Sequence, residues 1–136
     1  MAGLRVLIAE DEPLEALSLR EQITAIGHSV VGEGSNGKEA VELANSLSPD
    51  LIIMDIKMPD MNGIELYERM KEIDPLLQQK VVCITGDVVS SRNKAFLDET
   101  RLPCITKPFG IEELMHEVES VLGGQGKDAQ ATYSYC

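Results

Sequence analysis

Five side chains with chemistry to offer follow short apolar runs that are far apart in the sequence. Glu10 and Asp11 follow the run over 4–9, and Asp55 follows the run over 51–54. Thr85 closes the run over 80–85, and Lys107 follows 104–106. A sheet carrying these runs in parallel would bring all five to its carboxyl edge. Carboxylates gathered there repel one another and raise each other's pKa unless a cation neutralises them. Hard oxygen ligands at this density select Mg²⁺, with Mn²⁺ as a substitute, because such ions keep several waters and accept a phosphate oxygen. No His or Cys joins the group, which disfavours zinc. A carboxylate beside a dication, a hydroxyl and an ammonium is equipped for phosphoryl transfer to aspartate. Asp55 is the nucleophile candidate, since it ends a central apolar strand and precedes the Pro/Gly loop Met58-Pro59-Asp60-Met61-Asn62-Gly63. Glu10 and Asp11 are then the metal ligands, directly or through water.

Taken singly, each residue has a plainer use. Asp11 ahead of Pro13 could cap a helix. Asp55 could serve as a strand-end turn residue, and Thr85-Gly86-Asp87 could be an ordinary turn. Their joint occurrence at four strand ends is what favours the chemical reading.

The elements needed to position these residues are legible. Apolar runs over 4–9, 28–32, 51–54, 80–85 and 104–106 read as strands. Amphipathic stretches over 13–25, 38–47, 63–73, 90–100 and 111–122 read as helices. In the first helix Leu14, Leu17, Ile23 and Ile26 recur at spacings near three and four or their multiples; in the second, Ala40, Val41 and Ala44 are expected inside. Pro13 suits a first helical turn and Gly27 a stop. Five βα units with nearly continuous apolar strands imply an α/β fold. Its parallel sheet is covered on both faces and doubly wound. Ligands bind such sheets outside the carboxyl ends of the strands.

At 136 residues the chain is one domain, expected over 1–123, with 124–136 a disordered tail. Twelve basic against 23 acidic residues leave a net charge of −11, which argues against binding nucleic acid or anionic lipid. The 43% hydrophobic content excludes wholesale disorder, and no apolar run approaches the ~20 residues of a membrane span. Cys83 and Cys104 lie in apolar runs and read as buried free thiols, with Cys136 at the end of the sequence. A reduced, cytoplasmic setting fits that reading.

With these features assembled, the chain resembles the receiver domain of two-component response regulators. The match is carried by Glu10-Asp11, by the segment from Asp55 to Gly63, by Thr85-Gly86 and by Lys107-Pro108-Phe109. The resemblance covers about residues 4–122. It implies a flavodoxin-like five-stranded sheet of order 2-1-3-4-5 with five helices. Asp55 would be the phosphoacceptor, and Glu10, Asp11, Asp55 and the Lys57 backbone carbonyl would hold Mg²⁺. Thr85 would hydrogen-bond the phosphoryl group and Lys107 pair with it. The donor would be a phosphohistidine on a histidine kinase or histidine phosphotransfer protein. The domain would be monomeric or dimerise on phosphorylation, and would signal by switching its affinity for a downstream protein. The Lys107–Pro108 peptide is a cis candidate. Such a domain catalyses only its own phosphorylation and dephosphorylation. It could also be a segment of a larger response regulator or hybrid sensor histidine kinase.

There are departures. Cys104 stands where receivers commonly carry Tyr or Phe, and it is too small for the inward swing of that aromatic, which helps define an output face of helix 4, strand 5 and helix 5. Lys57 and Asp87 each lie two residues past a site residue and could pair across the mouth. On the first helix, Leu14, Glu15 and Ser18 could meet a helical phosphodonor.

Rival readings are weaker. Gly32-Glu33-Gly34-Ser35-Asn36-Gly37 matches a dinucleotide fingerprint, but it belongs to the second βα unit, away from the switch in strand order. A flavin carrier would need more aromatic residues than three Tyr and two Phe. A phosphatase using an Asp nucleophile wants a second Asp where Lys57 stands.

Overall fold

The computed structural model describes residues 3–56, 63–85, 91–100, 102–107 and 109–124. Strands β1 (Arg5–Ala9), β2 (Ser29–Gly34), β3 (Leu51–Asp55), β4 (Val81–Thr85) and β5 (Cys104–Thr106) form one sheet of order β2-β1-β3-β4-β5. Every pairing is parallel. Helices α1 (Pro13–Ala25), α2 (Gly37–Leu47), α3 (Gly63–Ile73), α4 (Ser91–Thr100) and α5 (Ile111–Gly124) connect and cover it.

The strands are apolar throughout because both faces are buried, and alternate residues feed two separate cores. Leu7, Ile52, Met54 and Cys83 pack with Ala40 and Ala44 of α2, Leu66 and Met70 of α3, and Phe96 and Leu97 of α4. Val6, Ile8, Ile53, Val82 and Ile84 pack with Leu19 and Ile23 of α1 and with Leu114 and Val118 of α5. A two-residue period on each strand therefore sends side chains to opposite layers.

The expected elements are present, with shifts at their ends. β2 begins and ends later than read, and a register shift between Val6 and Leu7 pairs Leu7 with Gly32. A 3-10 turn over Pro75–Lys80, capped by the Asp74 side chain on the Leu76 N–H, precedes β4 and was not anticipated. α5 runs to Gly124, past the expected 122.

Only part of the apolar set of α1 faces the sheet. Leu14 and Leu17 are 76% and 50% exposed, whereas Ala16, Leu19 and Ile23 are buried. Apolar residues occur around most of this helix, so their spacing alone allowed two faces.

Cys83 and Cys104 are both buried, and Cys83 is a free thiol.

Candidate functional site

The site is assembled by the carboxyl ends of three central strands and β5. Glu10 continues β1, its N–H donating to the Gly34 carbonyl at 3.0 Å. Asp55 ends β3 and pairs in register with Ile84. Thr85 ends β4 beside Thr106, and the Lys107 N–H donates to the Thr85 carbonyl at 2.9 Å. Register, and not proximity in sequence, therefore sets where each functional side chain starts.

The structure brings together the acidic residues singled out from the sequence. Glu10, Asp11 and Asp55 each offer an oxygen ligand, and these atoms lie within 4.8 Å of one another. Glu10 and Asp55 are buried while Asp11 is exposed at the mouth. Asp11 is not the helix cap: the N-cap of α1 is Glu12, with no side-chain capping bond, and Pro13 needs no donor partner.

Lys107 crosses this group. Its Nζ lies 2.9 Å from Asp55 Oδ2 and 3.3 Å from Glu10 Oε1, and it also donates to Glu15 Oε1 of α1. Burial opposes its charge, but hydrogen bonds to Glu15 and Asp55 and the charges of Asp55 and Glu10 outweigh burial and raise its pKa. Thr85 is buried in the same strand-end row.

The carboxylates are not in balance with one ammonium. Burial, then the neighbouring Asp55 charge and hydrogen bond, push Glu10 up to about 8. The Glu12 N–H, donated at 3.1 Å, and Lys107 pull the other way without cancelling the rise. A dication among these oxygens would relieve the repulsion, and the all-oxygen donor set fits Mg²⁺.

Other expectations resolve differently. Lys57, Asp87 and Pro108 lie outside the described residues, so the Lys57 carbonyl ligand, the Lys57–Asp87 pair and the cis peptide are not addressed by the structure. Cys104 is a buried residue of β5. Phe96 and Leu97 belong to the core.

The glycine-rich loop has structural work only. A Cβ on Gly34 would stand 2.8 Å from the Ala40 backbone nitrogen, so Gly34 permits close packing of β2 on α2. The N-terminus of α2 is capped by Asn36 Oδ1 accepting from the Glu39 N–H, while Glu39 Oε1 accepts from the Ser35 N–H. The Ser35 and Glu39 N–H groups, two donors that a phosphate could use here, are thus engaged.

One residue of the site had been read for a different purpose. Glu15 was singled out only as a docking residue; its contact with Lys107, 92 positions away, carries no local sequence signal.

Comparison with known proteins agrees with this geometry. The profile of the response regulator receiver domain matches residues 6–119. The transcriptional regulatory protein PdtaR of Mycobacterium tuberculosis is 38% identical over 117 residues, covering 85% of this chain and 55% of PdtaR. The chain thus spans about half the length of that relative. The chemotaxis protein CheY of Bacillus subtilis is 30% identical over 118 residues, covering 87% of this chain and 97% of CheY. Among solved structures, the signal receiver domain of a modulated diguanylate cyclase from Desulfovibrio desulfuricans G20 superimposes with a TM-score of 0.80. It has 26% identity, over 93% of this chain and 98% of that one. The acidic strand-end cluster, the 2-1-3-4-5 sheet and these matches lead to one assignment: the chain belongs to the response regulator receiver domain family of two-component signalling.

Proposed function

We propose that Asp55 is the phosphoacceptor of a two-component phosphorelay. The supporting observation is the 2.9 Å contact between Lys107 Nζ and Asp55 Oδ2 inside a three-carboxylate cluster. An Asp55 carboxylate oxygen attacks the phosphorus of a phosphohistidine donor. An O–P bond forms, the P–N bond breaks, and the imidazole leaves with the electron pair. Lys107 and the Thr85 hydroxyl hold the transferring phosphoryl oxygens. Glu10, Asp11 and Asp55 are the side chains that would hold Mg²⁺, which supplies positive charge against the developing negative charge. Hydrolysis of the resulting acyl phosphate by water resets the domain.

The donor is a histidine kinase or a histidine phosphotransfer protein, and the output is altered affinity for a downstream protein. Phosphorylation replaces the single charge of the Asp55 carboxylate with up to two on the phosphoryl group beside Thr85 and Lys107, biasing the ends of β4 and β5 that carry them. The compartment proposed is the cytoplasm, where kinases phosphorylate their histidines with ATP. The domain is a monomer or dimerises when phosphorylated, and a surface of net charge −11 does not favour direct contact with nucleic acid.

A second architecture has its own support. PdtaR is nearly twice as long as the matched region, so the domain could govern an attached output module or a hybrid kinase. The CheY match, nearly full length, supports action by binding a separate target.

The assignment of Asp55 is tested by borohydride reduction after incubation with acetyl phosphate and Mg²⁺. Peptide mapping is expected to find homoserine at position 55. Homoserine at another aspartate would overturn the assignment.

A further inference from the structure

We propose that Glu15 competes with the phosphoryl group for Lys107 and so restrains phosphorylation as a positioning residue outside the acceptor chemistry. The inference rests on the reading of Asp55 as phosphoacceptor and of Lys107 as the phosphoryl partner. An ammonium has three donors and no acceptor. In this structure Lys107 Nζ already has three carboxylate partners: Asp55 Oδ2 at 2.9 Å, Glu10 Oε1 at 3.3 Å, and Glu15 Oε1. A phosphoryl oxygen on Asp55 therefore competes for the ammonium with Glu10 and Glu15, the two carboxylates that keep their charge when Asp55 becomes an acyl phosphate.

Glu15 is the most readily released. Its side chain is 47% exposed, against 7% for Asp55 and 1% for Glu10. A carboxylate freed from an exposed ion pair is resolvated by water, whereas one freed in the interior is not. Glu15 opposes the modified state in a second way. It stands on the same ammonium that the phosphoryl dianion approaches, so its own negative charge repels the newcomer. Both effects have one sign: removing the Glu15 charge favours the phosphoryl-bound state.

The position suits such a role. Glu15 lies in the first turn of α1 between exposed Leu14 and half-exposed Leu17, and lines a cavity of about 410 Å³ with Glu10, Ser18, Lys107 and Phe109. A carboxylate there reaches Lys107 from outside the sheet, where its loss leaves the two cores untouched.

The test compares wild type with Glu15→Gln, Glu15→Asp and Glu21→Gln. The last removes the same charge from an exposed position further along α1. The probe is beryllofluoride with Mg²⁺, followed by fluorine NMR titration. A second readout, in metal-free protein, is the protection of the Lys107 ammonium protons from solvent exchange, assigned by their loss in Lys107→Arg. Glu15→Gln is expected to bind beryllofluoride about two- to fivefold more tightly, the scale of an exposed ion pair. Its Lys107 protons should exchange faster, while Glu15→Asp and Glu21→Gln stay nearer wild type. Unchanged or weaker binding by Glu15→Gln, with wild type binding normally, overturns the role of Glu15 and leaves Asp55 in place. Absence of binding by wild type, together with no phosphoryl uptake from acetyl phosphate, overturns both.

Discussion

The backbone N–H of Lys107 donates to the carbonyl of Thr85, so the ammonium and the hydroxyl hang from adjoining strand ends. This bond continues the β4–β5 ladder one step beyond Thr106. It ties the end of β4 that carries Thr85 to the start of the connection that leads from Lys107 to α5.

Loss of the ammonium exposes the imbalance among the carboxylates. Lys107→Met is expected to destabilise the metal-free protein at pH 7 by about 1–3 kcal/mol, less than for a fully buried pair because Lys107 is partly exposed. Mg²⁺ should restore part of that loss by replacing the missing positive charge. Urea unfolding with Mg²⁺ and with EDTA measures it. Equal losses under both conditions would separate Lys107 from the metal cluster.

Mg²⁺ should also raise the stability of wild type. At ten times its Kd it adds about 1.4 kcal/mol, and the midpoint of thermal unfolding rises with concentration. Asp11→Asn is the informative variant, since Asp11 is exposed and contributes little to packing. It should keep the EDTA stability of wild type and lose most of the Mg²⁺ increment. An undiminished increment would remove Asp11 from the ligand set.

Glu117 predicts a pH dependence unrelated to the site. Among the described residues its Oε1 is buried without a hydrogen-bond partner. Burial raises its pKa above the ordinary 4.5, with the His116 charge acting against that. The folded state thus binds the proton more tightly than the unfolded chain. Its contribution to stability is full below about pH 4.5 and is lost as pH rises through the folded value. Glu117→Gln should gain on the order of 1 kcal/mol at pH 7 and converge with wild type near pH 4. Parallel stability curves across that range would contradict the assignment.

The orientation of α1 is open to a simple comparison. Leu14→Ser should alter stability by less than about 0.5 kcal/mol, because the side chain is exposed. Ile23→Ala, in the core against β1 and β3, should cost about 2–5 kcal/mol. Chemical denaturation of the two variants decides it, and comparable losses would mean that Leu14 is covered.

These variants also mark what the sequence revealed. Strand identity was plain because a sheet buried on both faces demands unbroken apolar runs, and five such runs alternate with helical stretches. Glu10, Asp11, Asp55, Thr85 and Lys107 were legible because each terminates or follows one of those runs. The inner face of α1 was not, because Leu14, Ala16, Leu17, Leu19 and Ile23 leave no clean polar side. The contact of Glu15 with Lys107 joins residues 92 positions apart, which no local pattern encodes. Glu117 was hidden for a similar reason: it lies one turn beyond Leu114 and beside Val118, so helical geometry carries it inward with the core residues.

The most direct test of the central claim is the intact mass of the protein after incubation with acetyl phosphate and Mg²⁺. An Asp55→Asn variant and a metal-free sample are run in parallel. Gain of one phosphoryl group by wild type alone is the predicted result. An equal gain by Asp55→Asn would contradict the assignment of the acceptor. No gain by wild type, with no binding of beryllofluoride, would contradict the phosphoacceptor function itself.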